Sequence, residues 1–318
     1  TTFAGQQAFT VTNRRLGIID LTVTKTWVDG DDKETEELMT ALNNADLSLA
    51  LQLQFNCETK DGYEIDYKTN TVTLGHEELE IRQPEEGAGV DELNKRESAS
   101  AIQEITLEQA KSDESTSYYF FNLPKYDLDG ASVAYTVEEV VARKNPDGSL
   151  TTDNVTIPQD VQALLARYVR TYAQGEYMVG DLHARDTQAM TVTNTLTETK
   201  TVQWHKTWAD YYAYDTGIRP DIFLNIYSVS QGANNGNPQL VVENYRWTLN
   251  AAYGDNIHNW TATIEGLPRY DAQGYEIFYY ATEHSNIDWA QLDYTEVQYA
   301  FPGPNSTVQW INIGTQTK

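Results

Sequence analysis

A lysine stands on the inward face of a strand pattern near the start of the chain. The segment LTVTKTWVDG, residues 21–30, alternates as a half-buried β-strand does. Side chains two positions apart share a strand face, so Lys25 is predicted to point inward with Val23 and Trp27. A buried ammonium group is costly unless it is paired. The segment therefore requires a fold with a specific partner, or a specific chemistry, for this lysine.

The same Lys-Thr-Trp sequence recurs in TVQWHKTWAD, residues 201–210. Three further pairs of segments follow it in the same order in both halves: NLPKYDLDG (122–130) with GLPRYDAQG (266–274), YTVEEV (135–140) with YYATEH (279–284), and MTVTN (190–194) with VQWIN (308–312). Four matched segments in one order are the mark of an internal repeat. We therefore predict two copies of one unit, at residues 18–199 and 200–318.

The first residues look like the end of a further unit. FTVTN, ending at Asn13, resembles MTVTN, ending at Asn194, and a unit-opening lysine follows each asparagine by the same twelve positions. Residues 1–17 are accordingly predicted to be the closing strand of a preceding repeat, or an N-terminal extension. We expect the chain to be part of a longer serial array.

Composition and patterning both favour β-structure. The chain has 318 residues with 21 Tyr and three Met, and segments of alternating polarity recur along both halves. The first unit is longer, with 169 positions from Lys25 to Asn194 against 106 from Lys206 to Asn312. Its insertions are predicted to contain helices at 33–45 and 158–172, and a polar loop with a short helix at 61–117. The fold class is all-β with helical and loop insertions.

Charge and motif content exclude several functions. A net charge of −25 repels nucleic acid and anionic membranes. The sequence has no apolar run long enough to span a membrane, and Cys57, as the only cysteine, allows no intrachain disulfide. The sequence contains no cofactor motif, and the five histidines lack paired metal spacing. The acidic segment 28–37 lacks the EF-hand pattern, so a solvated loop is favoured over a Ca²⁺ site.

The order VTKTWVDG, NLPKYDLDG, YTVEEV, VTNT resembles that of Cna B-type domains, the reverse-immunoglobulin-like β-sandwiches strung together in adhesins and pilins of Gram-positive bacteria. The resemblance implies a spontaneous isopeptide bond between an opening-strand lysine and a closing-strand asparagine, assisted by an acid on a central strand. By motif, the first set is Lys25, Glu139 and Asn194, and the second is Lys206, Glu283 and Asn312. Because WINIG replaces VTNT in the second unit, Asn305 is kept as an alternative to Asn312.

Elementary chemistry explains why these three residue types are needed together. Burial lowers the pKa of a lysine and raises that of a glutamate, so a proton is expected to move from amine to acid. The protonated acid then polarises the asparagine carbonyl, the amine attacks its carbon, and ammonia leaves. Fixed neighbouring strands make the step effectively unimolecular. The reaction is a single self-modification, so the chain is not expected to be an enzyme.

The resemblance implies a secreted, cell-wall-anchored structural protein, the stalk or shaft of an adhesin or pilus. Its expected partners are neighbouring domains of the same surface protein. The alternative is a ligand-binding adhesin region that recognises a host glycan or extracellular-matrix protein. In that case the contacts are expected from the first-unit insertions or from Tyr211, Tyr212 and Tyr214 in the segment WADYYAYDTG.

Overall fold

The chain divides into two compact units, Thr1–Thr195 and Leu196–Lys318. A computed structural model describes residues 17–56, 63–66, 71–74, 77–80, 101–110, 115–127, 129–180, 186–207, 221–233, 236–247, 259–285, 298–302 and 308–312. The predicted closing strand before residue 17 lies outside these ranges. The domain limits predicted from the sequence stay predictions.

Two four-stranded sheets form the first unit, with the strand orders β10-β11-β1-β7 and β6-β2-β8-β9. A third, three-stranded sheet has the order β3-β4-β5. In chain order the elements are β1 Ile18–Val28, α1 Lys33–Asn44, β2 Leu47–Asn56, β3 Tyr63–Asp66, β4 Thr71–Leu74, β5 Glu77–Glu80, β6 Ile102–Ile105, β7 Thr116–Pro124, β8 Ala134–Lys144, β9 Leu150–Thr151, α2 Gln159–Leu165, β10 Tyr168–Met178 and β11 Asp186–Leu196.

Strand β1 lies inside its sheet and carries the predicted alternation. It pairs with β11 in parallel and with β7 antiparallel. Leu21, Val23, Lys25 and Trp27 are buried, while the threonines between them are half-buried. The prediction that Lys25 points inward is confirmed. In the other sheet, β2 is buried at every position from Leu47 to Leu53, and the buried side chains of β8 alternate from Tyr135 to Glu139.

The insertions of the first unit differ partly from their predictions. The helix predicted at 33–45 is confirmed as α1, whose Thr35 amide donates to the buried Asp29 carboxylate at 2.7 Å. The polar segment 61–117 was predicted as loop with a short helix, and this is wrong in part because it contains strands β3 to β6 and a 3-10 turn at Leu107–Gln109. These strands have four residues each, too few for alternation to stand out.

The helix predicted at 158–172 is also too long. Helix α2 ends at Leu165, and the chain continues as the edge strand β10 beside β11. Val161 and Leu164 are buried as the helical spacing predicts, but Val169 is an exposed strand residue. The alternating aromatic and β-branched residues from Tyr168 onward favour a strand, and pairing with β11 stabilises it.

The second unit repeats the central strands of the first. Its elements are β12 Thr199–Thr207, β13 Ile222–Val229, β14 Gln239–Trp247, β15 Asn259–Pro268, β16 Phe278–Ser285, β17 Gln298–Pro302 and β18 Val308–Asn312. Their pairings are β12-β15, β14-β13-β16 and β17-β18. Strand β12 pairs with β15 as β1 does with β7, and the register shifts at Ile19/Leu21 and Lys200/Val202 lie at equivalent positions. The repeat therefore extends to backbone irregularities.

The matched turn segments fold identically. Asp127 Oδ1 accepts two backbone amide hydrogen bonds inside the first turn, and Asp271 Oδ1 does so inside the second. Each turn ends in a glycine with φ 85°, a backbone conformation that other residues rarely adopt. Beyond the turns, the hydroxyls of Tyr135 and Tyr279 donate to proline carbonyls at 2.8 Å. These bonds fix the starts of β8 and β16, which carry the two candidate acids.

Candidate functional site

The two sheets of the first unit bring the three predicted residues together. Lys25 on β1 and Asn194 on β11 share a sheet, since the parallel register pairs Trp27 with Asn194 and Lys25 with Val192. Glu139 lies on β8 of the opposite sheet, where it pairs with Leu51. Lys25 and Asn194, which are 169 positions apart in the chain, thus lie on one sheet and meet Glu139 across the core of the sandwich.

Direct contacts join the triad through the carboxylate. Lys25 Nζ lies 3.2 Å from Glu139 Oε2, and the side chains of both residues are fully buried. Asn194 Nδ2 donates to Oε1 at 3.0 Å and to Oε2 at 3.1 Å. One carboxylate therefore contacts both the amine and the amide that an isopeptide bond would join.

The environment of Lys25 increases the fraction of its neutral form. Burial lowers the pKa of Lys25 from 10.5 to about 8; the Glu139 carboxylate opposes this shift, and the Arg170 guanidinium adds to it. The ammonium also donates to the Thr26 carbonyl at 3.2 Å and lies 4.2 Å from the centre of the Trp27 ring. At neutral pH, Lys25 is thus the free amine in roughly a tenth of the molecules, and this is the form that attacks a carbonyl.

The amide of Asn194 is turned differently from the sequence-based expectation. Its nitrogen, rather than its oxygen, faces Glu139, and Oδ1 is buried without a hydrogen-bond partner among the described residues. Both carboxyl oxygens of Glu139 accept from the NH₂ group, which is the donor end of the amide. Glu139 is consequently in contact with the nitrogen that leaves, and can transfer to it a proton taken from the attacking amine.

Two residues of β10 complete the surroundings of Glu139, and the sequence reasoning did not identify them. Arg170 Nε lies 2.9 Å from Glu139 Oε1, and the Glu139 backbone amide donates to the Tyr172 hydroxyl at 3.1 Å. The prediction of a helix over 158–172 did not place these two residues on a strand beside the site. The alternation of Tyr168, Arg170 and Tyr172 along one strand face is the signal that identifies them.

Two of the three predicted residues also meet in the second unit. Lys206 Nζ lies 2.9 Å from Glu283 Oε1, with side chains 14% and 6% exposed. Asn312 ends β18, where its backbone pairs with Gln298 of β17. Among the pairings that the structure describes, none joins β18 to β12. The role of Asn312 as the asparagine that joins Lys206 stays a prediction. Its alternative, Asn305, lies outside the described residues.

The weaker candidates are not described or form no cluster. Tyr211, Tyr212 and Tyr214 lie outside the described residues. Within the described ranges, no three His, Cys, Asp or Glu side chains are grouped as metal ligands would be. In the same part of the chain, no helix is long and apolar enough to cross a membrane.

The fold and the buried contacts define a class: two repeated all-β units, in the first of which the opening and closing strands meet at a lysine, an acid and an asparagine. The sequence model of the family described as Cna protein B-type domain matches residues 92–159 and 202–300. The chain therefore belongs to the Cna B-type domain family. No curated protein and no solved structure matches it significantly.

Membership fixes the broad kind of protein. Cna B-type domains are structural modules of cell-surface proteins, so the chain is an adhesin-like or pilin-like structural module. The two matched segments include Glu139, Lys206 and Glu283, while Lys25 and Asn194 lie outside them. The repeated motifs and the contacts described above extend the first unit to these two residues.

Proposed function

We propose that the chain is a load-bearing stalk module of a cell-wall-anchored Gram-positive adhesin or pilus, and that Lys25 and Asn194 join in an isopeptide bond. The supporting observation is the buried Glu139 carboxylate, which contacts both side chains. The same chemistry is proposed for Lys206, Glu283 and Asn312. The proposed partners are the neighbouring domains of the same surface protein, through which tension would reach each unit.

The bond forms in two covalent steps. The neutral Lys25 Nζ attacks Asn194 Cγ, so that a C–N bond forms and the carbonyl becomes tetrahedral. Glu139 takes a proton from the attacking nitrogen and gives it to Nδ2, after which the Cγ–Nδ2 bond breaks and ammonia leaves. Glu139 ends in the charge state in which it began.

Burial supports this chemistry in three ways. It increases the fraction of neutral amine, it excludes water that would compete for the carbonyl, and it strengthens the hydrogen bonds to the carboxylate. Holding the groups on paired strands replaces a bimolecular encounter, with effective molarities on the order of 10⁵ M or more for well-oriented groups.

Intact mass spectrometry of the whole chain tests the proposal. Each bond formed lowers the mass by about 17 Da, the mass of ammonia. Lys25→Ala and Asn194→Ala should each abolish the loss assigned to the first unit, and Lys206→Ala that of the second. Lys33→Ala, which changes an exposed lysine, is the matched control and should retain both losses. A full-length chain with no mass deficit would refute the covalent proposal.

A second candidate function is supported by the exposed apolar side chains of β10. Large apolar side chains are exposed there and just beyond, including Val169, Met178 and Val179. Exposed apolar side chains can bind a partner, so a host glycan or matrix protein remains the alternative ligand. Binding to an array of these molecules should be lost on Met178→Ser with Val179→Ser, while the mass deficit persists. Equal binding by this variant would reject the insertion as the contact surface.

A further inference from the structure

Strand β10 forms an open edge of the first unit. It is the outermost strand in the order β10-β11-β1-β7, and among the described strands none pairs with its other edge. Every residue from Thr171 to Val179 is exposed, so both faces of this strand reach solvent. An unpaired edge offers a row of backbone N–H and C=O groups to another strand. Natural proteins protect such edges with proline, lysine or a short strand, but β10 has eleven residues and contains neither residue type.

Two charged side chains are placed symmetrically along β10. Arg170 is the third residue from its start and Glu176 the third from its end, and the strand contains no other Asp, Glu, Lys or Arg. When two copies of β10 lie antiparallel with Ala173 opposite Ala173, every residue of the strand is paired and each Arg170 lies opposite a Glu176. Opposite charges at facing positions stabilise an antiparallel pair, whereas like charges destabilise it. Full pairing and charge complementarity therefore favour the same register.

The other side chains of β10 fit this register as well. Val169 lies opposite Tyr177, which makes a β-branched residue face an aromatic one, and each is 48% exposed in the single chain. At the centre, two small Ala173 side chains face each other. The Arg170 side chain contacts Glu139 through Nε and is 31% exposed, so part of it is accessible to a facing carboxylate.

We propose that the open edge of β10 binds β10 of a second copy of this chain, antiparallel and centred on Ala173, so that neighbouring stalks associate side by side. The contact does not require the isopeptide bond, because the outer edge of β10 takes no part in that bond. A second copy, rather than a host ligand, then occupies this edge.

The size and charge of the contact make the dimer weak. A single strand pair is small beside the standard interface of about 1,600 Å², and each chain has a net charge of −25. The facing charges therefore serve mainly to set the register. Copies anchored close together on one surface have a high effective concentration, which compensates for low affinity.

Analytical ultracentrifugation of the full-length chain tests the association. The chain should form dimers that dissociate on dilution, at concentrations up to about 1 mM. Glu176→Arg should raise the dimer Kd at least about tenfold, because both cross-strand pairs of the dimer become repulsive. Glu265→Arg is the matched control, since it makes the same charge change on an exposed strand residue of the second unit. It should leave the Kd within about twofold.

Disulfide trapping tests the register. In a Cys57→Ser background, Ala173→Cys should form a covalent dimer under mild oxidation, because facing Cα atoms about 4.5–5.5 Å apart lie within disulfide range. Val169→Cys and Tyr177→Cys should each stay monomeric alone and should cross-link when the two variants are mixed. In this register the two copies of Val169 lie roughly 27 Å apart, too far to be joined.

The outcomes separate this contact from other uses of β10. A chain that stays monomeric at the highest concentration overturns the inference, and so does a dimer that Glu176→Arg leaves unchanged. Cross-linking of Val169→Cys with itself, or a mixture no more reactive than its two components, contradicts the register and also overturns it. If the monomeric chain instead binds host molecules and loses them in Met178→Ser with Val179→Ser, β10 serves a host ligand. The mass deficit of the isopeptide bond is measured separately and should be the same in all these variants.

Discussion

Removing either end of the proposed cross-link should destabilise the first unit, and removing both should cost little more. In Lys25→Met, an apolar side chain of similar length fills the site, and Glu139 keeps Arg170 and Asn194 as partners. In Asn194→Ala, the Lys25–Glu139 ion pair remains. Neither variant can form the isopeptide bond. Each therefore measures the stability lost with the bond, while a different set of contacts to Glu139 remains.

The magnitude follows from the length of the closed loop. The bond would close a loop of 169 positions. The chain-entropy expression used for disulfides gives about 5 kcal/mol for a loop of this length. For a unit of this size, 5 kcal/mol corresponds to a fall in Tm of roughly 10–20 °C.

Calorimetry of the full-length chain measures both transitions, and the second unit serves as an internal reference. The losses of the two single variants should not add, because the bond is already absent in each. The double variant is expected to be about 5 kcal/mol more stable than the sum of the single losses predicts. If the double variant equals that sum within about 1 kcal/mol, no cross-link connects the two residues and the reasoning fails.

Three further results are expected. In Asn194→Ala, Lys25 binds its proton in the unfolded chain but not in the folded one between pH 8 and 10.5. The stability of this variant in urea should therefore rise by about 3 kcal/mol over that range, relative to the cross-linked chain. Asn194→Asp should expel water and reach the same final mass as the reacted chain; an unreacted product would contradict this. Calorimetry of Tyr135→Phe should show a loss of about 1–2 kcal/mol in the first unit alone, because the buried Pro124 carbonyl loses its donor. Tyr279→Phe should destabilise the second unit alone and by less, about 0.5–1.5 kcal/mol, because its bond to the Pro268 carbonyl is only partly buried.

The parts of the fold that could be predicted from the sequence are those with long local patterns. The alternation of β1 placed Lys25 on the buried face, and the spacing of α1 gave its bounds to within one residue. The short strands β3 to β5 were missed because four residues carry too little periodicity. Helix α2 was extended past Leu165, because Val169 continues its spacing by coincidence.

The site was predictable to the extent that it lies within the repeated motifs. Lys25, Glu139 and Asn194 each lie in a segment with a counterpart in the second unit, and the matched order brings them together. Arg170 has no counterpart in those segments, because it comes from an insertion whose strand register is set only by pairing with β11. Its contact with Glu139 depends on tertiary packing between sheets, which local pattern does not encode.

The parallel pairing of β1 with β11 also determines how the first unit would stretch. The chain enters β1 at Ile18 and leaves β11 at Leu196, at opposite ends of the paired ladder. Pulling there slides the strands lengthwise and loads all their hydrogen bonds at once, a shear geometry. If that ladder yields in a chain without the bond, roughly 600 Å of contour length becomes available from the 169 intervening positions. With Lys25 joined to Asn194, none of that length can be drawn out, and the unit behaves as an inextensible link whose compliance is confined to a few residues at each end.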